Sequence, residues 1–368
     1  MRPPDDLYVA ADAPPNSFER LDRTMWAIIG TWRMALEGIQ GATPALANGG
    51  SAADAVERAV RAVEDFPYFK SVGYGGLPNE LMQVELDAAF MDGDTLEFGA
   101  VGAARNIANP VSVARSLAAS DANNLLVGDG ATEYAVNQGF EIKNMLTDRA
   151  KIHYRRRLEA EGRVTPGEAR HLGEPEAEQE TARGAMPGRD RERENPAGHD
   201  TVGVVALDAS GSMAAATSTS GLFMKKPGRV GDSPVPGAGF YVDSKIGGAA
   251  STGLGEDVMK GCVGYEIVRL MGEGLDPQCA CERAIATFTR KLRARRGHAG
   301  DISFVAVDSR GRWGAASNIE GFSFVVATQS DPARVYLTHS QPDGSCVHEP
   351  ASREWLEEYM ASRTAPLA

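Results

Sequence analysis

Cysteine is scarce in this chain of 368 residues, and the few cysteines cannot build a disulfide framework. All four lie in the last third of the sequence: Cys262, Cys279, Cys281 and Cys346. Two of them are separated by a single residue on a predicted helix, but no second cluster of cysteine or histidine completes a metal site. The six histidines are also scattered without ligand spacing. We therefore expect no structural metal and no cofactor.

Long hydrophobic runs are absent as well. No apolar stretch approaches the roughly 20 residues that cross a bilayer. The first one, residues 26–29, is too short for the core of a signal peptide, and the six residues at the start are polar with two acids. The sequence therefore predicts a cytoplasmic protein without a membrane partner.

Basic residues are in deficit. The chain has 38 lysines and arginines against 50 aspartates and glutamates, which gives a formal net charge of −12. An acidic surface argues against nucleic acid as the main partner but leaves a small-molecule substrate open, because a substrate needs only a local site. At 42% hydrophobic residues, the chain is rich enough in apolar side chains to bury a large core.

Composition divides the chain into four segments. We predict a loose leader at 1–24, a core at 25–147, a charged flexible linker, at best partly helical, at 148–200 and a second half at 201–368. The linker is predicted because it has almost no large apolar side chains and cannot offset its ordering entropy. In both remaining segments strands precede helices and further strands follow, which predicts an α+β domain with sheets between helical layers.

Several local signals place elements within these segments. Ser51, Asn109 and Asp276 are predicted helix N-caps, and proline follows directly after the last two. Two short strands are predicted at 84–88 and 89–91.

Thr201 is the most informative residue. It opens a buried apolar strand directly after Asp200 and the end of the charged segment. A threonine there makes sense if the Asp200–Thr201 bond is cut, because Thr201 then carries a hydroxyl nucleophile and a free α-amine. The amine, with a pKa of about 7.7–8.0, can act as the general base. An N-terminal threonine is a recognised form of nucleophile-plus-base catalysis.

Three later segments could complete a site around Thr201. Thr219 ends the strand predicted to pair with that of Thr201, within reach of its hydroxyl. Arg229 and Asp232 could bind the carboxylate and amine of an amino acid. The glycine-rich stretch 247–255 precedes a helix and could form an oxyanion site. Each segment also has a structural explanation: a strand threonine, a surface ion pair, or glycines for close packing.

Taken together, these segments resemble glycosylasparaginase of the N-terminal nucleophile (Ntn) hydrolase superfamily. The matching stretches are 49–55, 72–80, 85–93, 99–102, 199–203, 217–221, 228–237 and 250–255. The resemblance implies a four-layer αββα sandwich of the Ntn hydrolase type, made as a precursor that cleaves itself between Asp200 and Thr201. It further implies an α chain 1–200, a β chain 201–368 and an (αβ)2 assembly.

The resemblance also implies the role of individual residues. Thr201 matches the nucleophile, and Thr219 matches a residue that hydrogen-bonds and tunes it. Thr252 and Gly253 match the oxyanion donors, which also contact substrate.

Three further positions match residues that bind substrate. Arg229 and Asp232 match the pair that holds the amino-acid end, and Trp32 matches an aromatic wall of the site. A buried core tryptophan is the alternative for Trp32.

The implied reaction is hydrolysis of the side-chain amide that links asparagine to N-acetylglucosamine. Met34 stands where glycosylasparaginases usually carry an aromatic residue, which weakens the sugar-facing wall. An L-asparaginase/isoaspartyl peptidase of the same fold is therefore the first alternative, although that group usually has glycine before the nucleophile and lacks a loop like 72–79. An uncleaved, non-catalytic binding protein is the second.

Overall fold

The computed structural model describes residues 25–120, 122–164 and 200–367. The strands in these ranges are β1 Ala27–Thr31, β2 Leu86–Asp92, β3 Phe98–Ala104, β4 Leu125–Val127, β5 Val202–Leu207, β6 Met213–Thr219, β7 Phe240–Asp243, β8 Gly247–Gly253, β9 Ile302–Asp308, β10 Trp313–Ser317, β11 Phe322–Thr328, β12 Arg334–Ser340 and β13 Cys346–Pro350. The α-helices are α1 Leu36–Ala47, α2 Ala52–Glu64, α3 Pro110–Ala118, α4 Gly128–Asn137, α5 Asp148–Ala160, α6 Gly255–Gly261, α7 Val263–Gly272, α8 Pro277–Arg296 and α9 Arg353–Thr364.

The strands form a large and a small sheet. The large sheet has the order β13-β12-β11-β1-β5-β6-β2-β3-β4, and the small sheet has the order β10-β9-β8-β7. Every pairing is antiparallel except that of β3 with β4. Strand β5, which begins directly after Thr201, therefore lies in the interior of the large sheet, paired with β1 on one side and β6 on the other.

The two sheets face each other across an apolar core. Its buried side chains include Ile29, Val205, Phe240, Val305 and Phe324. The approach is close at the start of β5, because a Cβ on Gly203 would lie only 2.8 Å from the Cβ of Ala250 on β8. A side chain at position 203 would force the sheets apart at this point.

Helices cover the outward faces of both sheets. A second core cluster joins α1, α2 and α3 to the large sheet, with Ile39, Val60, Val113 and Val204 among its buried members. A third joins α7 and α8 to the small sheet, with Ile267, Ile285 and Phe304 among its members. The predicted α+β class is confirmed.

Two of the predicted helix starts form as expected. Ser51 accepts a hydrogen bond from the Asp54 N–H (3.1 Å) at the start of α2, and Asp276 accepts one from the Cys279 N–H (3.1 Å) at the start of α8. The third helix also begins at its proline, but the side chain of Asn109 makes no capping bond. Its amide donates instead to carboxylates at the end of α2. Within the described ranges, no helix is long and apolar enough to cross a membrane.

One prediction about local structure is wrong. The two short strands at 84–88 and 89–91 are one strand, β2, because the apolar run is continuous. The glycine-rich stretch 247–255 precedes helix α6 as predicted, and most of it is strand β8, since its small residues fit between two sheets. Residues 148–160, the first part of the predicted linker, form helix α5, which buries Ala150, Tyr154 and Leu158. The leader, 1–24, and the rest of the predicted linker, 165–199, lie outside the described residues.

Candidate active site

Thr201 is held by contacts from three separate segments. Only 4% of its surface is exposed. Its Oγ1 lies 3.1 Å from Oγ of Ser233, its backbone N–H donates to Oγ1 of Thr252 (3.0 Å), and its carbonyl accepts from Oγ1 of Thr31 (2.5 Å). The hydroxyl and the nitrogen that a nucleophile and base would use therefore each face one hydroxyl group.

Thr31 links the strands on either side of the candidate nucleophile. It ends β1, is fully buried, and its hydroxyl accepts from the Gly203 N–H (2.9 Å) while donating to the Thr201 carbonyl. The regular pairing of β1 with β5 extends only from Ala27 to Gly30 on the β1 side. The Thr31 side chain thus continues the ladder by one step and fixes the start of β5.

Thr219 lies at the predicted place but makes a different contact from the predicted one. Its hydroxyl lies 3.5 Å from the carbonyl oxygen of Asp200 and 3.3 Å from that of Ser71, and it accepts from the Gly221 N–H (3.0 Å). No hydrogen bond joins it to the Thr201 hydroxyl in the described structure, and its role in tuning that hydroxyl stays a prediction. The regular β5–β6 pairing ends at Val202 and Ser218, so it does not bring the next two residues into register.

Thr252 connects Trp32 to Thr201. It is fully buried on β8, and its Oγ1 accepts from Nε1 of Trp32 (2.8 Å) as well as from the Thr201 N–H. Trp32 follows β1 with a positive φ of 61° and packs edge-on against Phe322, with ring centroids 5.2 Å apart. The tryptophan predicted as a wall is therefore hydrogen-bonded to a predicted oxyanion residue.

The backbone conformation at position 253 requires glycine. Its φ of +134° is a conformation that side chains rarely adopt, and a Cβ there would lie 2.2 Å from the carbonyl oxygen of Asp301. Helix α6 begins two residues later, at Gly255.

Arg229 and Asp232 do not pair with each other. Arg229 forks onto Glu256, with Nε and Nη2 at 2.9 and 2.8 Å from its carboxylate oxygens. Asp232 is buried and accepts from the hydroxyl of Ser251. Burial raises the pKa of Asp232 and the Ser251 bond opposes this shift.

Two short segments bring these groups to Thr201. Asp232 bonds to Ser251, while the next residue in each segment, Ser233 or Thr252, bonds to Thr201. The predicted carboxylate is thus one residue away from the contacts of the predicted nucleophile. The arrangement brings the buried hydroxyl and backbone nitrogen of Thr201 close to a buried carboxylate, as a catalytic site requires.

Sequence reasoning missed Thr31, Ser233 and Thr217. The hydroxyl of Thr217 donates to the Ser233 carbonyl (2.5 Å) and so fixes the residue that faces the Thr201 hydroxyl. Ser233 lies beside Asp232 in a segment already singled out, so its position was a usable signal. Thr31 gave a weaker one, a polar residue ending a strand that is otherwise apolar.

Comparison with known proteins identifies the family to which this chain belongs. A family model described as asparaginase matches residues 31–337, which include every site residue described above. The chain belongs to this asparaginase family, and it is a hydrolase of the asparaginase type.

Individual relatives carry two kinds of name. The chain is 38% identical over 304 residues to "N(4)-(Beta-N-acetylglucosaminyl)-L-asparaginase" of Elizabethkingia miricola, covering 82% of this chain and 81% of the relative. It is 34% identical over 316 residues to the protein of that name from Rattus norvegicus, covering 81% and 87%. It is also 34% identical over 330 residues to "Isoaspartyl peptidase/L-asparaginase" of Xenopus laevis, covering 88% and 92%.

Proposed function

We propose that the chain is a precursor that cleaves itself between Asp200 and Thr201 and then hydrolyses the side-chain amide of a glycosylated asparagine. The observation that carries this proposal is the environment of Thr201. Its hydroxyl and its nitrogen each meet a buried hydroxyl group, from Ser233 and Thr252. A threonine that only began a strand would not need both contacts.

The self-cleavage step is an N-to-O acyl shift. Oγ1 of Thr201 attacks the carbonyl carbon of Asp200, the peptide C–N bond breaks, and the nitrogen takes up the proton that the hydroxyl loses. Water then hydrolyses the ester, which leaves a carboxylate on Asp200 and a free amine on Thr201. The Thr219 hydroxyl, 3.5 Å from the Asp200 carbonyl oxygen, is placed to stabilise the oxyanion of this first step.

Substrate turnover repeats the same chemistry on an external amide. The α-amine of Thr201 takes the hydroxyl proton, Oγ1 attacks the side-chain carbonyl, and the glycosylamine leaves with a proton. Thr252 and Gly253 face the oxyanion, while Arg229 and Asp232 hold the α-carboxylate and α-amine. Water then releases aspartate from the β-aspartyl ester.

The mature protein is part of the same proposal. We infer that the two facing sheets and the helices outside them are the four-layer αββα sandwich of Ntn hydrolases, shared by an α chain 1–200 and a β chain 201–368. The (αβ)2 assembly remains an expectation from the resemblance.

Isoaspartyl peptidase is the second candidate. The Xenopus laevis relative of that name, 34% identical over 88% of this chain, supports it. The 38% identity to the Elizabethkingia miricola protein and the aspartate at position 200 favour the glycosylasparagine reaction.

Steady-state kinetics with three substrates separate the candidates. We expect the highest kcat/KM with N4-(β-N-acetylglucosaminyl)-L-asparagine, compared with L-asparagine and a β-aspartyl dipeptide. A higher value for the β-aspartyl dipeptide would replace the proposed substrate by the second candidate. No turnover of any of the three by fully cleaved protein would reject both.

A further inference from the structure

Lys225 is a buried cation that the reaction described so far does not use. Only 4% of its surface is exposed. Its ammonium donates to the carbonyl of Glu85 (3.1 Å) and forms no ion pair with any residue that the structure describes. A buried ammonium with a single neutral acceptor is costly, because its other N–H groups lose their water without a charged partner.

The ammonium lies beside the unoccupied edge of the Arg229 guanidinium. Glu256 occupies Nε and Nη2 of Arg229, whereas Nη1 has no hydrogen-bond partner among the described residues. A Cβ built on Gly221 would lie 3.1 Å from Nη1 of Arg229 and 3.1 Å from Nζ of Lys225. The two nitrogens therefore face one small space and are separated by no more than twice that distance.

Nearby charges act on this lysine in both directions. The pKa of Lys225 is lowered, chiefly by burial and also by Arg229, while Asp87 and Glu85 oppose the shift. Asp87 is fully buried; its Oδ1 accepts from the Ala103 N–H (2.7 Å), and its Oδ2 has no partner among the described residues. Two cations that share one space favour an anion between them.

We propose that Lys225 is a specificity-determining residue that binds the substrate's α-carboxylate together with Nη1 of Arg229. This proposal rests on the proposed function, since it assigns the second oxygen of a carboxylate that Arg229 binds by its first. The ligand class is an amino acid with a free α-carboxylate and a β-acyl group. The site rejects an α-carboxamide, which would place an N–H₂ group against an ammonium or a guanidinium.

Binding measured without turnover tests the proposal. The cleaved protein is titrated calorimetrically with L-aspartate and, separately, with L-aspartic acid α-amide. For Lys225→Met we expect the Kd of L-aspartate to rise about 10- to 100-fold, as for loss of a hydrogen bond to a charged group, and that of the α-amide to change less than about threefold. Lys225→Gln, which keeps a donor for the Glu85 carbonyl, should show the same split.

Lys226→Met is the matched control. This neighbour is exposed and pairs with Glu80 at 2.8 Å, so both ligands should bind to the variant as they do to wild type. Equal weakening of both ligands in Lys225→Met, or no weakening, would overturn the proposal. Failure of both Lys225 variants to fold would overturn it too, because Lys225 would then be structural. Selective aspartate binding without hydrolysis of any amide would instead keep the site and reject the proposed reaction.

Discussion

Two hairpins of the molecule have the same turn and very different surroundings. β5–β6 and β9–β10 each reverse at an aspartate, Asp208 or Asp308, whose N–H donates to the carbonyl four residues later at 2.9 Å. In each turn the carboxylate accepts from the backbone N–H groups two and four residues later. A glycine three residues after each aspartate has a positive φ, 90° in one hairpin and 73° in the other.

The two hairpins differ at their open ends, that is, at the ends of the strand pairs opposite the turns. In the small sheet, Ser303 pairs with Ser317 and their hydroxyls bond to each other at 2.8 Å. At the equivalent positions of the large sheet, Gly203 pairs with Thr217, and the neighbouring β1 and β8 come close enough to add Thr31 and Thr252 to the end of the hairpin. Strand β8 lies beside both hairpins, because Thr252 also pairs with Ser303 on β9. The turn sequence therefore specifies a hairpin, whereas the side chains that reach its open end, here Thr31 and Thr252, distinguish the first hairpin from the second.

Removal of the Thr201 hydroxyl, at the open end of the β5–β6 hairpin, should have the largest effect on cleavage and activity. We expect Thr201→Ala to remain a single chain of 39.1 kDa and to lose activity by about 10⁴-fold or more, as when a nucleophile is deleted. A denaturing gel and an amidase assay measure these outcomes. Ser317→Ala, at the open end of the second hairpin, is the control and should cleave normally. Self-cleavage of Thr201→Ala would show that the hydroxyl at this open end is not the group that cleaves the chain.

Thr252 should matter next, because its hydroxyl reaches the first open end although its strand pairs with β9 of the second hairpin. We expect Thr252→Ala to lower kcat by about 10²–10³-fold, since it removes a donor for the oxyanion and the partner of the Thr201 nitrogen. The measurement is kcat of the cleaved fraction, with Ser303→Ala as the control on the neighbouring strand. A change in KM alone would assign Thr252 to binding instead.

The two turn aspartates should differ in their effect on stability. Oδ2 of Asp208 also accepts from the Ala52 N–H at the start of α2 (2.8 Å), and the residue is buried. Asp208→Asn leaves a buried donor without its acceptor, so we expect a loss of about 1–3 kcal/mol. Oδ2 of Asp308 instead pairs with Arg312, whose side chain is 52% exposed, so Asp308→Asn should cost about 0–1 kcal/mol.

Urea unfolding of both variants beside wild type measures this difference. Equal losses would mean that the α2 contact contributes nothing beyond the turn that both hairpins share.

The last expected effect depends on pH and concerns the other end of α2. Burial raises the pKa of Glu64 to about 8, against hydrogen bonds from Val111 and Asn109. The folded chain therefore keeps a proton that the unfolded chain releases above a pKa of 4.5. This contribution to stability is complete below pH 4.5 and is lost as the pH rises through 8, by at most about 1.4 kcal/mol per pH unit.

Glu64→Gln should flatten the fall in unfolding free energy between pH 5 and 8. Urea denaturation at several pH values checks it, with the exposed Glu37→Gln as the control. An unchanged pH slope in Glu64→Gln would show that Glu64 does not hold this proton.

Local chemistry explains which parts of the fold were predictable. Asp276 and Ser51 begin helices through bonds three residues along the chain, and the turn at Asp208 closes within four. Such signals depend only on residues that lie close together in the sequence. The bounds and the buried face of helix α5 were not predicted because its charged residues dominate the composition, although its buried residues recur every four positions.

Long-range contacts explain which parts of the site could not be predicted from the sequence. The Thr31 hydroxyl reaches a carbonyl 170 residues away, and Trp32 reaches Thr252 across 220 residues. The residues next to Thr31 and Trp32 in the sequence do not indicate these distant partners. The local sequence brought Thr201, Arg229 and Asp232 forward as candidates and the resemblance gave their roles. Only the structure gives their contacts, which are with Ser233, Glu256 and Ser251 respectively.

The mass and N-terminal sequence of the purified, incubated protein show whether the Asp200–Thr201 bond is cut. We expect two fragments, the smaller of which begins Thr-Val-Gly at position 201, and amidase activity that appears as they form. Full amidase activity from protein that remains one chain of 39.1 kDa would contradict this expectation.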